Sequence, residues 1–341
     1  MPHFHDYLPD VATLDAAAAI VYAGMLPTAQ HSWPLLNAAL GTEAWVKHEN
    51  HTATGAFKLR GNLVYMARLR QRLPDVRRVL ATTRGNHGQA VAYAARLHGL
   101  HATIVAPHGN SPEKNAAMRG FGAELIEHGS EYADTQAYAA MLEQRDGLHR
   151  IASLHPDLVA GVASYWLELL RAQPALEVLL VPIGQGSGIA AAIAAKRALN
   201  HPARIIGVVS QHAAAYQLSF RARRAMEAPV STQLADGVAC RATQPDSLAL
   251  VLEFVDDVLA VSDAEVASAM RLLFRATHNV AEGAGALALA AAMQQRDSSL
   301  IKGRLIGLPL TGGNVDTSVF ADVLHGGDGP GAPQPSPGVQ P

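Results

Sequence analysis

Lys58 lies in HENHTATGAFKLRG, residues 48–61, directly after Thr54, Gly55, Ala56 and the ring of Phe57. A lysine opening a helical pattern meets the positive end of the helix dipole, and burial beside Phe57 would lower its pKa further. Only a neutral amine attacks a carbonyl carbon, so a lysine placed this way suits Schiff-base chemistry. The same pattern also fits a surface lysine at a helix start. In ATTRGNHGQAVAYAARLHG, residues 81–99, Gly85 and Gly88 permit tight backbone geometry and the Asn86 amide can donate to an anionic oxygen. In VPIGQGSGIAAAIAAKRAL, residues 181–199, Gly184, Gly186 and Gly188 alternate with Gln185 and Ser187 ahead of an alanine-rich helix. Backbone N–H groups in such a loop can converge on a phosphate, and the Ser187 hydroxyl adds to the cup. In LPLTGGNVD, residues 308–316, Thr311 offers a hydroxyl to a ring nitrogen, and Gly312 and Gly313 let backbone approach a ligand closely. Read singly, each of the last three is equally an ordinary strand–helix turn, and GxGxG matches the dinucleotide fingerprint only loosely.

These turns need elements to hold them. Short apolar runs predict strands at 44–47, 78–82, 102–106, 123–128, 177–183, 203–209 and 304–308. Helical patterns fall at 57–73, 87–97, 113–120, 132–144, 158–172, 188–199 and 264–277. Runs such as VLLVPI, with no polar alternation, predict burial on both faces of a parallel sheet between helix layers. The alternation of strand and helix predicts an α/β fold, in which ligands bind outside the carboxyl ends of the strands. The three glycine-rich turns fall at such ends.

The chain has 341 residues, enough for one large or two packed α/β domains, with no internal repeat. Its 27 basic and 29 acidic residues give a net charge of -2, which argues against a nucleic-acid or membrane partner. The single cysteine, Cys240, excludes an intramolecular disulfide and fits a reducing compartment. Alanine is abundant, at 63 residues, whereas lysine occurs five times, and Lys58 is one of the five. The N-terminus lacks a basic start with an apolar run, and stretches such as VAEGAGALALAAAM are shorter than the roughly 20 residues of a spanning helix. A cytoplasmic protein is expected. Residues 326–341 hold five Gly and five Pro among sixteen and are expected to form a disordered tail.

Taken in order, GAFKLRG, RGNHGQAVA, GQGSG and TGGN resemble the fold-type II pyridoxal-phosphate enzymes, specifically the threonine dehydratase and serine racemase group, from about residue 28 to 323. The resemblance implies two three-layer α/β domains with mostly parallel sheets, of the tryptophan synthase beta-like kind, in a homodimer. Residues 1–52 and 154–325 would form the large cofactor-binding domain and 53–153 a small mobile one. Pyridoxal 5'-phosphate would sit between them. By the same resemblance, Lys58 forms the Schiff base with the cofactor and later moves the substrate Cα proton. Phe57 packs near the ring, Asn86 bonds the phenolic oxygen, and Gly184, Gln185, Gly186, Ser187 and Gly188 hold the phosphate. Thr311 meets the pyridine nitrogen, and the loop Thr83, Arg84, Gly85, Asn86 and His87 takes the substrate. A hydroxyl at the nitrogen does not enforce a protonated pyridine, which favours loss of a β-substituent over transamination. Glu282, in VAEGAGA, matches a glutamate near the ring and equally fits an acid at a helix N-terminus.

Three departures qualify the resemblance. Arg84 stands where the group usually carries the serine that serves racemases as acid/base on the second face, so it becomes a candidate catalytic or substrate-binding residue. Ser210 and Tyr216 occupy the positions of the usual metal-ligating acids, so no metal site is expected. Gln185 and Ser187 replace glycines common in the phosphate loop. No regulatory module is expected after residue 325, which would fit amino-acid degradation without feedback control. The expected activity is a pyridoxal-phosphate-dependent dehydratase that turns a β-hydroxy-α-amino acid into a 2-oxo acid and ammonia. Threonine and serine are the default substrates, with a bulkier one such as phenylserine as an extension. The alternatives are a racemase or β-replacement enzyme of the same family, or, from another class, a dinucleotide-binding oxidoreductase or a non-catalytic binding protein.

Overall fold

The computed structural model describes residues 4–130 and 132–328. Its strands are β1 (Gln30–Ser32), β2 (Ala44–His48), β3 (Arg78–Thr82), β4 (His101–Ala106), β5 (Glu124–Glu127), β6 (His149–Arg150), β7 (Val178–Pro182), β8 (Arg204–Ser210), β9 (Asp257–Val261) and β10 (Ile306–Leu310). The first seven helices are α1 (Val11–Gly24), α2 (Pro34–Leu40), α3 (Lys58–Arg72), α4 (Asn86–Leu97), α5 (Pro112–Gly120), α6 (Tyr132–Asp146) and α7 (Pro156–Ala172). The rest are α8 (Ser187–Ala198), α9 (Ala215–Ala222), α10 (Pro245–Phe254), α11 (Asp263–Thr277), α12 (Gly283–Gln294) and α13 (Thr317–Leu324).

Two sheets result. One has the order β1-β2-β10-β7-β8-β9 and the other β5-β4-β3-β6. Every pairing is parallel except β1 with β2. The chain therefore leaves the larger sheet after β2, builds the smaller one, and returns at β7. Strand β7 shows why the larger sheet is sandwiched. Leu179 and Val181 join one apolar cluster with α1, α7 and α8, while Val178 and Leu180 join another with α2, α11 and α12. Burying each such side chain stabilises the fold by roughly 1.5 to 3 kcal/mol.

A buried charge network sets the start of α3. The Arg60 guanidinium, fully buried, donates to both Glu49 carboxylate oxygens at 2.7 and 2.9 Å. It also donates to Glu168 Oε1 at 2.6 Å and Ser164 Oγ at 2.9 Å on α7. Lys47, on β2, pairs with Glu168 and donates to the Thr28 carbonyl at 2.7 Å. The helix that begins at Lys58 is thus tied to the larger sheet and to α7 two residues after the lysine.

The α/β architecture matches the reading of the sequence, but several elements escaped it: α1, α2, α9, α10, α12 and α13, and strands β1, β6 and β9. The clearest case is α12, buried on all sides from Gly283 to Ala292, so it has no polar face to give a period. Of the expected tail, only residues 326–328 are described. Arg271 donates to the Gly327 carbonyl at 3.0 Å and faces Asp328, so residues 326–328 are held; residues 329–341 lie outside the described residues. Among the described residues, no helix is long and apolar enough to cross a membrane.

Candidate active site

A cavity of about 990 Å³ opens at the carboxyl ends of β3, β7 and β10, where the glycine-rich turns meet. Helices α3, α4, α8 and α12 begin at its wall. Their N-cap residues, Phe57, Gly85, Gly186 and Glu282, make no side-chain cap. Of the other helices, α1, α5, α7 and α11 are capped by Asp10, Ser111, His155 and Ser262, whereas α2, α9, α10 and α13 are not. Uncapped N-termini leave free N–H groups and a positive dipole end, the combination that binds anions.

The α8 start is built for a large anion. Gly186 has φ 102° and its added Cβ would lie 1.8 Å from Ser247 Oγ, so only glycine fits. At Gly184 a Cβ would come within 2.9 Å of the Gly237 carbonyl. The Ser247 hydroxyl is buried beside this loop, next to the Tyr216 hydroxyl. Gln185 is held along the cavity wall: its amide nitrogen donates to Cys240 Sγ at 3.2 Å and its oxygen accepts from Gln244 at 2.8 Å. Tyr216, at one of the usual metal-ligand positions, instead places its hydroxyl near the Gln185 carbonyl and accepts from the Gln244 N–H at 3.2 Å. Ser210, at the other, accepts from the His212 N–H.

Lys58 Nζ donates to Ser187 Oγ at 2.7 Å and lies 4.7 Å from the Phe57 ring centroid. Burial lowers its pKa to about 8, against the pull of Cys240 and Glu282. The turn before it is laced to the loop after β10. Phe57 N–H donates to the Thr311 carbonyl at 3.0 Å and Gly313 N–H to the Gly55 carbonyl at 2.9 Å. Thr311 is buried on the cavity wall, its hydroxyl 3.4 Å from the Ala284 carbonyl.

Asn86 Nδ2 donates to Glu282 Oε1 at 2.7 Å. Glu282 occupies the N-cap position of α12 yet does not cap it, and burial pushes its pKa up to about 7, with Lys114 opposing. Glu282 thus stands at the helix start and also lines the cavity. Thr83, Gly85 and His87 also line the cavity. Thr83 accepts from the Gly85 N–H at 3.1 Å, and burial holds His87 neutral with a pKa of about 3. Arg84 is exposed on the wall and makes no hydrogen bond or ion pair among the described residues.

Sequence reading missed Lys114, Asp236, Cys240 and Asn314. Lys114, on α5, pairs with Asp236 across the cavity mouth, and Ser111 bonds Asp316 nearby. Cys240 lines the cavity, and burial raises its thiol pKa to about 11. The small lysine count and the quoted TGGN stretch contained two of these residues, but nothing local marked their partners. No group of three or more His, Cys, Asp or Glu among the described residues is arranged to hold a metal ion.

A buried amine whose pKa is lowered to about 8, set against an anion cradle with no room for a side chain at Gly184 or Gly186, fits a phosphate-bearing aldehyde. The Thr311 hydroxyl and the Asn86 amide are the donors that a phenolic pyridine ring between them would need, so pyridoxal phosphate fits this set. A family model described as pyridoxal-phosphate dependent enzyme matches residues 21–312, and the chain belongs to that family. It is 32% identical over 294 residues to the L-threonine ammonia-lyase of Thermotoga maritima, covering 86% of this chain and 72% of that one. It is 33% identical over 301 residues to the L-threo-3-hydroxyaspartate ammonia-lyase of Saccharomyces cerevisiae, covering 87% and 90%. The solved structure of maize serine racemase superposes with a TM-score of 0.86 at 26% identity, covering 93% of this chain and 97% of that one.

Proposed function

We propose that the protein is a pyridoxal-phosphate-dependent dehydratase of β-hydroxy-α-amino acids, releasing a 2-oxo acid and ammonia. The observation that carries this reading is the hydrogen bond from Lys58, a buried lysine of depressed pKa, to Ser187 at the uncapped start of α8. Relatives named threonine and hydroxyaspartate ammonia-lyases support the reaction class. Bound at Lys58, with its phosphate on residues 184–188, the cofactor supplies an electron sink for negative charge at the substrate Cα.

The free N–H groups at the start of α4, with Thr83 and His87 alongside, hold the substrate α-carboxylate. Once the substrate amine has displaced it from the cofactor, the Lys58 amine would take the Cα proton and return a proton to the departing β-hydroxyl, so water leaves. The freed enamine tautomerises and takes up water, losing ammonia. Thr311 presents a neutral hydroxyl in place of a carboxylate, which limits charge build-up on the ring and favours β-elimination. Arg84, where a second-face hydroxyl would be needed, works against the racemase alternative and is the candidate for contact with the substrate side chain. Its freedom from partners leaves room for a side chain bulkier than that of threonine.

On this reading residues 53–153 supply the mobile unit, except that Arg60 anchors α3 to Glu49 and Glu168; the rest closes on 1–52 and 154–325, where the Lys114–Asp236 and Ser111–Asp316 contacts shut out water. The enzyme is a cytoplasmic homodimer; Leu26 and Leu35, 82% and 65% exposed on either side of β1, support a buried interface there. The test is incubation of the holoenzyme with threonine, serine, phenylserine and 3-hydroxyaspartate, followed by measurement of 2-oxo acid. Production from at least one that is lost in Lys58→Ala is expected. No 2-oxo acid from any of the four would overturn the dehydratase reading.

A further inference from the structure

Asn314 does not line the cavity, yet it touches three segments that build it. Its Nδ2 donates to the Thr54 carbonyl and to Asn86 Oδ1, both at 2.8 Å. Its own oxygen lies where a Gly55 Cβ would come within 2.5 Å, and Gly55 has φ +68°, so this close approach requires glycine at residue 55. On its other side the Asn86 amide donates from Nδ2 to Glu282 Oε1 at 2.7 Å. A primary amide has one accepting and one donating end. With its oxygen held by Asn314, Asn86 can offer only its nitrogen to the cavity. Freed from Asn314, the amide could turn over, placing oxygen against the Glu282 carboxyl and removing the donor from the ligand side.

We infer that Asn314 is a positioning residue, which fixes the donor face of Asn86 toward the phenolic oxygen of the bound cofactor. The inference rests on the site reading given above, since it needs the cofactor ring beside Asn86. Asn86 follows β3 of the smaller sheet, whereas Asn314 follows β10 of the larger one. The correct orientation of the amide therefore exists only when the two parts of the molecule are docked. Glu282 reinforces the arrangement by accepting from one Nδ2 hydrogen, which leaves the second for the cofactor oxygen.

The test uses holoenzyme of the wild type, Asn314→Ala, Asn314→Asp, Asn86→Ala and the double variant Asn86→Ala/Asn314→Ala. The readouts are the cofactor's visible absorption as a function of pH and its dissociation constant, with kcat and KM alongside. Asn314→Asp has the same size but replaces the donor by an acceptor, so it drives the amide over even where the alanine variant folds poorly. Loss of a donor to the phenolic oxygen makes that oxygen more basic, so the spectral midpoint moves upward by about one pH unit. The expected fall in kcat is about tenfold to hundredfold, with a smaller change in KM. The double variant matches Asn86→Ala alone, because Asn314 acts through Asn86. Asn314 variants that load cofactor with the wild-type midpoint, or a double variant with additive losses, overturn the inference and leave the site reading standing. A wild type that takes up no cofactor overturns both.

Discussion

Lys58 Nζ and Ser187 Oγ are 2.7 Å apart, so the amine of one helix start is hydrogen-bonded to the first residue of another. On the proposed reading, a ligand held by its phosphate at α8 would lie beside the lysine, and the covalent step would become an intramolecular one. The rate of that step follows the neutral fraction of Lys58. Cofactor uptake by the cofactor-free protein is expected to accelerate with rising pH and level off above a midpoint near about 8. Stopped-flow recording of the visible band checks this; a midpoint near the ordinary lysine value of 10.5 would mean the amine is not desolvated before the cofactor arrives.

Glu282 ionises at higher pH than an ordinary surface glutamate, because burial raises its pKa from 4.5 to about 7. The folded protein therefore holds a proton there that the unfolded chain releases, and this contribution to stability is present below pH 4.5 and lost as pH rises through 7. Glu282→Gln, which cannot ionise, is expected to gain in melting temperature relative to wild type between pH 5 and pH 8. A Tm difference that stays constant over this interval would show that the carboxyl is already ionised at pH 5.

The buried Arg60 holds Glu49 and Glu168 around the start of α3. Arg60→Ala strands the fully buried Glu49 carboxylate and is expected to cost about 3 to 5 kcal/mol, with weaker cofactor binding as α3 loosens. Denaturant titration of the wild type and variant measures the loss. A change under about 1 kcal/mol would place Glu49 in contact with water or another cation.

Much of this site could be read from the order of four short stretches, because Lys58, Asn86, Ser187 and Thr311 each sit at a turn whose backbone chemistry is local. What stayed hidden depends on partners far away in the chain. Asn314 bonds Asn86 across 228 positions, and Lys114 meets Asp236 across 122. Neither pairing leaves a local pattern. The fold followed the same rule: β7 announced itself by an unbroken apolar run, whereas α12, buried on every side, lost the periodicity that identifies a helix.

Arg84 removes the hydroxyl that a second acid/base would need. L-serine is therefore expected to yield 2-oxo acid with no accumulation of the D-isomer, measured by chiral chromatography. Because Arg84 is exposed and unpaired among the described residues, Arg84→Ser is expected to leave Tm nearly unchanged while altering the ratio of kcat/KM between substrates. Accumulating D-serine with the wild type would contradict the assignment of the second face.

The most direct measurement is to reduce the cofactor-loaded protein with borohydride, digest it, and find the modified lysine by mass spectrometry. Lys114 lines the same cavity and provides the internal control. The phosphopyridoxyl group is expected on the peptide containing Lys58, with Lys58→Ala showing neither label nor visible absorption. A label on Lys114, or a wild type with no label at all, would contradict the central claim.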